Sequence, residues 1–327
     1  MKRLYYFLLL ALFFSCETEN ILTSNKAVLA NEFWTYVDEN YIYFEEKQVD
    51  WNQIKAEIVD PINENTSEAE LETACINMLN SLRDGHNVLS TFTTNRVNYN
   101  YRAGYDIHFD LSVVQDNYLK GDFEQLGNYT YGILDNRIGY IHFRSFKQVS
   151  NIDQIMPLLK TAGVEGIIFD IRDNTGGAGQ DAVEIVGYFI DEPTVVGYMV
   201  EKTGKAHDDV SEPLSVIASP KQPYFDVPLV LLTNRRSYSA CTYLASQLKD
   251  LPNVTLVGQV TGGGGGGNQT QELSNGWLLT VSSSKLLDIN FDASIEAGVS
   301  PDMFVNNDSL TLVNGVDEML ERALTAF

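Results

Sequence analysis

The sequence predicts an α/β fold with a largely parallel sheet, preceded by a small helical N-terminal subdomain. From Arg137 onward, apolar runs of strand length alternate with helix-length amphipathic stretches, the pattern of strand–helix–strand units. Upstream, between Ala27 and Leu89, apolar residues recur at three- and four-residue spacing instead. The chain has 327 residues, 44% of them hydrophobic, enough to build one large domain or two unequal ones.

The first element is a leader. Met1-Lys2-Arg3 is followed by an apolar run from Leu4 to Phe14 and then by Ser15-Cys16, the layout of a secretory signal too short to span a bilayer as a helix. Residues 1–15 are expected to be a signal peptide and residues 16–26 a polar tether. A cysteine directly after a small residue resembles the lipobox of bacterial lipoproteins. That resemblance implies lipidation of Cys16, export, and anchorage to the cell envelope on the periplasmic or surface face of the outer membrane. Removing Lys2 and Arg3 with the leader makes the mature chain more acidic still. No later segment has the length and apolarity of a spanning helix.

Residues 27–90 read as the helical subdomain. Trp34, Val37 and Tyr41, then Leu71, Cys75, Met78, Leu79 and Leu82, mark its buried stripes, and Pro61 with the Asn63–Ser67 cluster separates its helices. Residues 91–136 form a connecting segment of strands and loops, with Tyr105–Phe109 alternating as a strand would. The core, residues 137–327, opens with a strand at Ile138–Phe143, a helix at 151–162 and a buried strand at Gly166–Ile171. A helix at Ala182–Ile190, a buried strand at Pro228–Leu232, a helix at Ser239–Leu248 and a strand at Val254–Gly258 complete the alternation. Six glycines at 262–267 are the one low-complexity run.

Charge narrows the function. Lys and Arg total 22 against 44 Asp and Glu, a net charge of -22 that repels phosphate backbones and excludes nucleic acid as the main partner. Three cysteines make no disulfide framework, and Cys75 and Cys241 are expected to be free.

Four turns at the ends of the expected elements carry chemistry-bearing residues. In Thr233–Thr242, Ser239 stands at the mouth of a helix with small Ala240 behind it, which suits a nucleophile whose oxyanion meets helix N-terminal amides. The plainer reading makes Ser237 or Ser239 an N-cap. In Asp170–Gly179, glycines leave backbone N–H groups free to face an anion or oxyanion; the plainer reading is tight helix–strand packing. Without a following Gly-Lys-Ser/Thr it is not a phosphate loop. His86 follows Asp84-Gly85, a turn that presents a side chain into a cleft. The other histidines, His108, His142 and His207, lie in strand-like or polar stretches. The fourth turn, Glu296–Asp302, places a carboxylate before a glycine and a proline.

Together these turns resemble the C-terminal-processing and tricorn-core serine peptidases, which share a ClpP/crotonase-like core. Asp170–Gly177 is similar to that family's Asp-x-Arg-x-Asn-x-Gly-Gly, Thr261-Gly262-Gly263 to its glycine-rich turn, and Glu296–Asp302 to its Glu-x-Gly-Val-x-Pro-Asp. The nucleophile stretch places the reacting serine at Ser239, with Thr242 where the family has Glu. One branch uses a Ser–Lys dyad with its lysine about 25 residues after the serine; here no lysine occurs between Lys249 and Lys285. The resemblance therefore implies the tricorn-like triad, with Ser239 as nucleophile, His86 as base and Glu296 holding the imidazole. Gly85 stands where tricorn carries a second active-site serine. The implied oxyanion donors are Ala240 with Gly176 or Gly177. No metal or organic cofactor is required. The implied substrate is an unfolded or exposed peptide segment, and the acidic charge favours neutral or basic ones by steering. The alternative is a non-catalytic lipid- or peptide-binding protein on the same fold. The site is expected in the cleft between the helical part and the core.

Overall fold

The computed structural model describes residues 25–147 and 149–327, so the expected signal peptide and Cys16 lie outside the described residues. Asn25 caps helix α1 (Lys26–Asn40). Helices α2 (Phe44–Lys47) and α3 (Trp51–Ile54) follow, the latter widening into a π turn at Lys55–Val59. Helix α4 (Glu68–Ser81) starts on a capping box, in which Ser67 and Glu70 each accept the other's backbone N–H. Strands β1 (Val88–Ser90) and β2 (Val97–Asn98) lead to α5 (Leu111–Val113), which passes into a π turn at Val114–Tyr118, and then to β3 (Phe123–Leu126) and β4 (Tyr129–Leu134).

The alternating core comes next: β5 (Ile138–Phe143), α6 (Ile152–Ala162), β6 (Gly166–Asp170), α7 (Gly179–Val186), β7 (Thr194–Glu201), β8 (Leu214–Ala218), β9 (Leu229–Thr233), α8 (Ala240–Lys249) and β10 (Val254–Gly258). The chain ends with β11 (Asn268–Glu272), β12 (Leu278–Ser282), β13 (Ser284–Leu287), β14 (Met303–Phe304), α9 (Ser309–Val313) and α10 (Glu318–Leu324).

A seven-stranded sheet, ordered β14-β10-β9-β6-β5-β4-β3, forms the centre. Its strands from β14 to β5 are mutually parallel, while β4 and β3 add antiparallel at the edge. Every residue of β5, β6 and β9 is buried, as expected for parallel strands covered on both faces. Ile141, Phe143, Phe169 and Leu231 pack with α6, α7 and α8 on one face. Tyr140, Ile168 and Val230 meet Met319, Leu320 and Ala323 of α10 on the other.

Two smaller antiparallel sheets, β11-β12-β1-β2 and β13-β7-β8, stand against this body. They alter the expected division of the chain. β1 pairs with β12, and Ile42 donates its N–H to the Ser282 carbonyl. Phe33, Tyr41, Leu71 and Met78 share one buried cluster with Trp277, Leu279, Val281 and Leu287. The helical segment is therefore built into the later chain rather than standing beside it.

The run Tyr105–Phe109 is not a strand, a correction to the alternation reading. Side chains take over the work of a neighbouring strand: Gln259 donates to the Asp106 carbonyl, Asn307 donates to the His108 carbonyl, and the Phe109 ring lies on the Arg172 guanidinium at 4.2 Å.

Candidate active site

The site assembles where β6, β9 and the glycine run end, as topology favours in parallel sheets. β9 leads into a turn at Asn234–Ser239, and α8 begins at Ala240. Ser237 is consumed by that turn: its hydroxyl donates to the Ile171 carbonyl at 2.8 Å and accepts the Asn234 N–H at 3.0 Å. Ser239 does neither. It occupies the N-cap position without a side-chain cap bond, and its backbone sits at φ +58°, ψ −120°, a conformation residues with a Cβ rarely adopt. The turn is pinned by the Ser239 N–H, which donates to the Gly263 carbonyl at 2.8 Å, and by Thr242, whose hydroxyl donates to the same carbonyl at 2.9 Å. Thr242 thus has a structural use at the position where the resemblance expected Glu. Ser239 thus stands at the N-cap position with its hydroxyl uncommitted to the helix.

That hydroxyl meets His86, with Ser239 Oγ and His86 Nε2 2.9 Å apart. The imidazole arrives from the turn after α4. Asp84 is buried there, accepting the His86 backbone N–H at 2.7 Å on one oxygen and the Ser282 hydroxyl at 2.8 Å on the other. Tyr238 approaches the imidazole edge-on at 4.9 Å and stacks on Tyr101 at 3.9 Å. These rings explain Gly85: a Cβ there would lie 2.8 Å from Tyr101 Cδ1 and 2.8 Å from the Tyr238 hydroxyl. Burial lowers the His86 pKa below the usual histidine value, with Arg96 and Lys47 adding to the effect and Asp84 opposing it.

Glu296 departs from expectation. Its carboxylate accepts the Gly265 N–H at 2.8 Å on one oxygen and pairs with Lys47 Nζ at 2.8 Å on the other. Among the described residues His86 Nδ1 has no hydrogen-bond partner. The expected Glu296–imidazole hydrogen bond is therefore not formed, because Lys47, from α2, takes the carboxylate instead. Lys47 sits among the acidic residues Glu45 and Glu46, where nothing in the sequence distinguishes it from a solvated charge. Burial and the Asp84 charge push the Glu296 pKa up, to about 8, against the pull of Lys47 and the Gly265 amide.

The oxyanion side is also refined. Gly176 lies against Ser239 at φ +88°, where a Cβ would meet the Tyr238 carbonyl oxygen at 2.5 Å and Ala240 N at 2.9 Å. Its own N–H, however, donates to Asn174 Oδ1 at 2.9 Å. Of the expected donors, Gly176 is thus committed elsewhere, which leaves Gly177 and Ala240. The Ala240 amide is the first of α8 and has no acceptor within the helix.

Other candidates resolve as packing. Cys241 is buried, its thiol donating to the Asn174 carbonyl at 3.1 Å, and Cys75 is buried in α4. His142 is buried beside the Arg172 carbonyl, and His207 pairs with Asp38. Among the described residues no cluster of three or more His, Cys, Asp or Glu side chains could hold a metal ion. A cleft of about 410 Å³ opens beside Ser239 and His86, with apolar walls from Met199, Val216 and Leu286.

The sequence model for Peptidase family S41 matches residues 137–305. A carboxyl-terminal-processing protease of Picosynechococcus sp. is 31% identical over 185 residues, covering 54% of this chain and 42% of that protein. The chain spans under half the length of such curated relatives. The crystal structure of a candidate peptidase from Parabacteroides merdae superposes with a TM-score of 0.85 at 32% identity, covering 93% of this chain and 96% of that one. The tricorn protease shares the fold, with a TM-score of 0.55 at 16% identity over 92% of this chain and 36% of its own.

Proposed function

Because the chain belongs to Peptidase family S41, a family of serine-type hydrolases, we propose that it hydrolyses peptide bonds in unfolded or exposed segments, with Ser239 as nucleophile and His86 as general base. One observation carries the reading: the 2.9 Å contact between Ser239 Oγ and His86 Nε2, made by a serine in a strained backbone turn. Ser237, by contrast, spends its hydroxyl on the Ile171 carbonyl and the Asn234 N–H.

The chemistry follows from that contact. Neutral His86 takes the Ser239 proton on Nε2 as Oγ attacks the scissile carbonyl. The N–H groups of Ala240 and Gly177 face the developing oxyanion, and loss of one such donor typically costs ~3 kcal/mol of barrier. The imidazolium returns its proton to the leaving amine, and water then hydrolyses the acyl-enzyme with His86 again as base. Asp84 favours the imidazolium through its charge. Glu296 acts on the same charge from its place beside Lys47, without touching the ring. The apolar cleft walls favour an uncharged side chain next to the scissile bond.

Incubation with unfolded casein tests the proposal. The wild type should fragment it and Ser239→Ala should lose that activity by a factor of roughly 10³ or more. Equal cleavage by both proteins, or none by either, would reject it.

A further inference from the structure

Lys47 lies outside every motif of the site, yet it joins two of its parts. Its ammonium pairs with Glu296 Oε1 at 2.8 Å and donates to the Arg83 carbonyl at 3.0 Å, at the start of the turn that presents His86. Arg83 answers by donating its guanidinium to the Lys47 carbonyl. The pair is withdrawn from water, with side chains 13% and 5% exposed. The neighbouring lysines have other partners: Lys285 is taken by Glu46, and Lys249 lies near Asp302 and donates to the Ser300 carbonyl.

We infer that Lys47 is a positioning residue of the hydrolytic site, fastening the Glu296 loop and the His86 turn to α2 and neutralising the Glu296 carboxylate where water cannot. This rests on the peptidase reading above. The groups around Glu296 show why a cation is needed there. Asp84 faces it from the His86 turn, the phenols of Tyr41 and Tyr43 from the segment before α2, and Tyr238 from the turn before α8. Asp84 disfavours the Glu296 anion, and Lys47 and the Gly265 amide favour it. The Arg235 guanidinium is spent on the carbonyls of Thr261 and Ala297. Without Lys47, Glu296, whose pKa already lies at about 8, would keep its proton to still higher pH, and the anion that favours the imidazolium formed when Ser239 reacts would be present over a narrower pH range.

The test is the rate of Ser239 modification by a fluorophosphonate as a function of pH. Lys47→Met should react roughly tenfold or more slowly at pH 7, with the midpoint of its rise displaced upward by about one unit or more. Lys47→Arg, which keeps the charge, should hold the wild-type midpoint. In a Glu296→Gln background, Lys47→Met should add little further loss, and this double variant strands neither member of the Lys47–Glu296 pair, so it serves even if Lys47→Met alone does not fold. A Lys47→Met profile matching the wild type, or full additivity with Glu296→Gln, would overturn the inference. A wild type that does not react at Ser239 would instead overturn the peptidase reading.

Discussion

Among the described residues the Ser239 hydroxyl bonds only the imidazole, and it does so from an unfavourable backbone. A residue with a Cβ at this φ and ψ costs of order 1–3 kcal/mol, and such strain persists where the surroundings impose it. Here they are the Gly263 carbonyl, the Thr242 hydroxyl and the close approach of Gly176. Glycine relieves that cost but loosens the unfolded chain. Ser239→Gly should therefore be more stable than Ser239→Ala by about 1 kcal/mol in urea unfolding, with both inactive. A less stable glycine variant would mean the turn is unstrained. At this scale Ser239 and His86 were legible, because both belong to turns with a recognisable order of residues. The true partner of Glu296 was not. Lys47 lies 249 positions away in an acidic run, and only the packing of α2 brings it in.

Among the elements, the end of β6 is tied to α10 by a buried ion cluster. Arg172 bonds Asp170 through Nε and Nη2 and reaches Asp317, the N-cap of α10, at 2.8 Å, all fully buried. Burial opposes ionisation of Asp170, but the guanidinium outweighs it and holds the carboxyl below its usual range. Its contribution to stability is thus present above the unfolded carboxylate value and lost as pH falls through the lower, folded one. Arg172→Met should destabilise the protein by about 3–5 kcal/mol near neutrality, since it strands buried carboxylates. Without the guanidinium, burial raises Asp170, so the deficit should narrow as the pH is lowered toward about 4. A deficit constant with pH in urea titrations would contradict this account. The strands β5, β6, β9 and β10 were readable because buried parallel strands are continuous apolar runs, whereas β7 and β8, antiparallel and partly exposed, carry no such run and were not read. Tyr105–Phe109 misled because its alternation of residue types is not matched by alternating burial: the segment is held through its carbonyls by Gln259 and Asn307 and through the Phe109 ring on Arg172, not by a strand neighbour.

Across the whole molecule, the Ser239–His86 contact draws on both halves of the chain, His86 from the turn after α4 and Ser239 from the core. The separate helical subdomain read from the sequence is joined to the rest by β1–β12 pairing and one shared apolar cluster, contacts about 190 residues apart that no local pattern encodes. Among the described residues no helix is long and apolar enough to cross a membrane. We propose membrane attachment through lipid on Cys16, from the Ser15-Cys16 sequence after the short apolar run. Cys16→Ala should release the protein from the membrane pellet on cell fractionation, and full retention of the variant there would exclude it.

The proposed activation of Ser239 by His86 is read directly by mass spectrometry after fluorophosphonate treatment. The wild type should carry a single adduct, on Ser239, and His86→Ala should form it at least ~10³-fold more slowly. An adduct on Ser237, no adduct at all, or equally fast labelling of His86→Ala would contradict it.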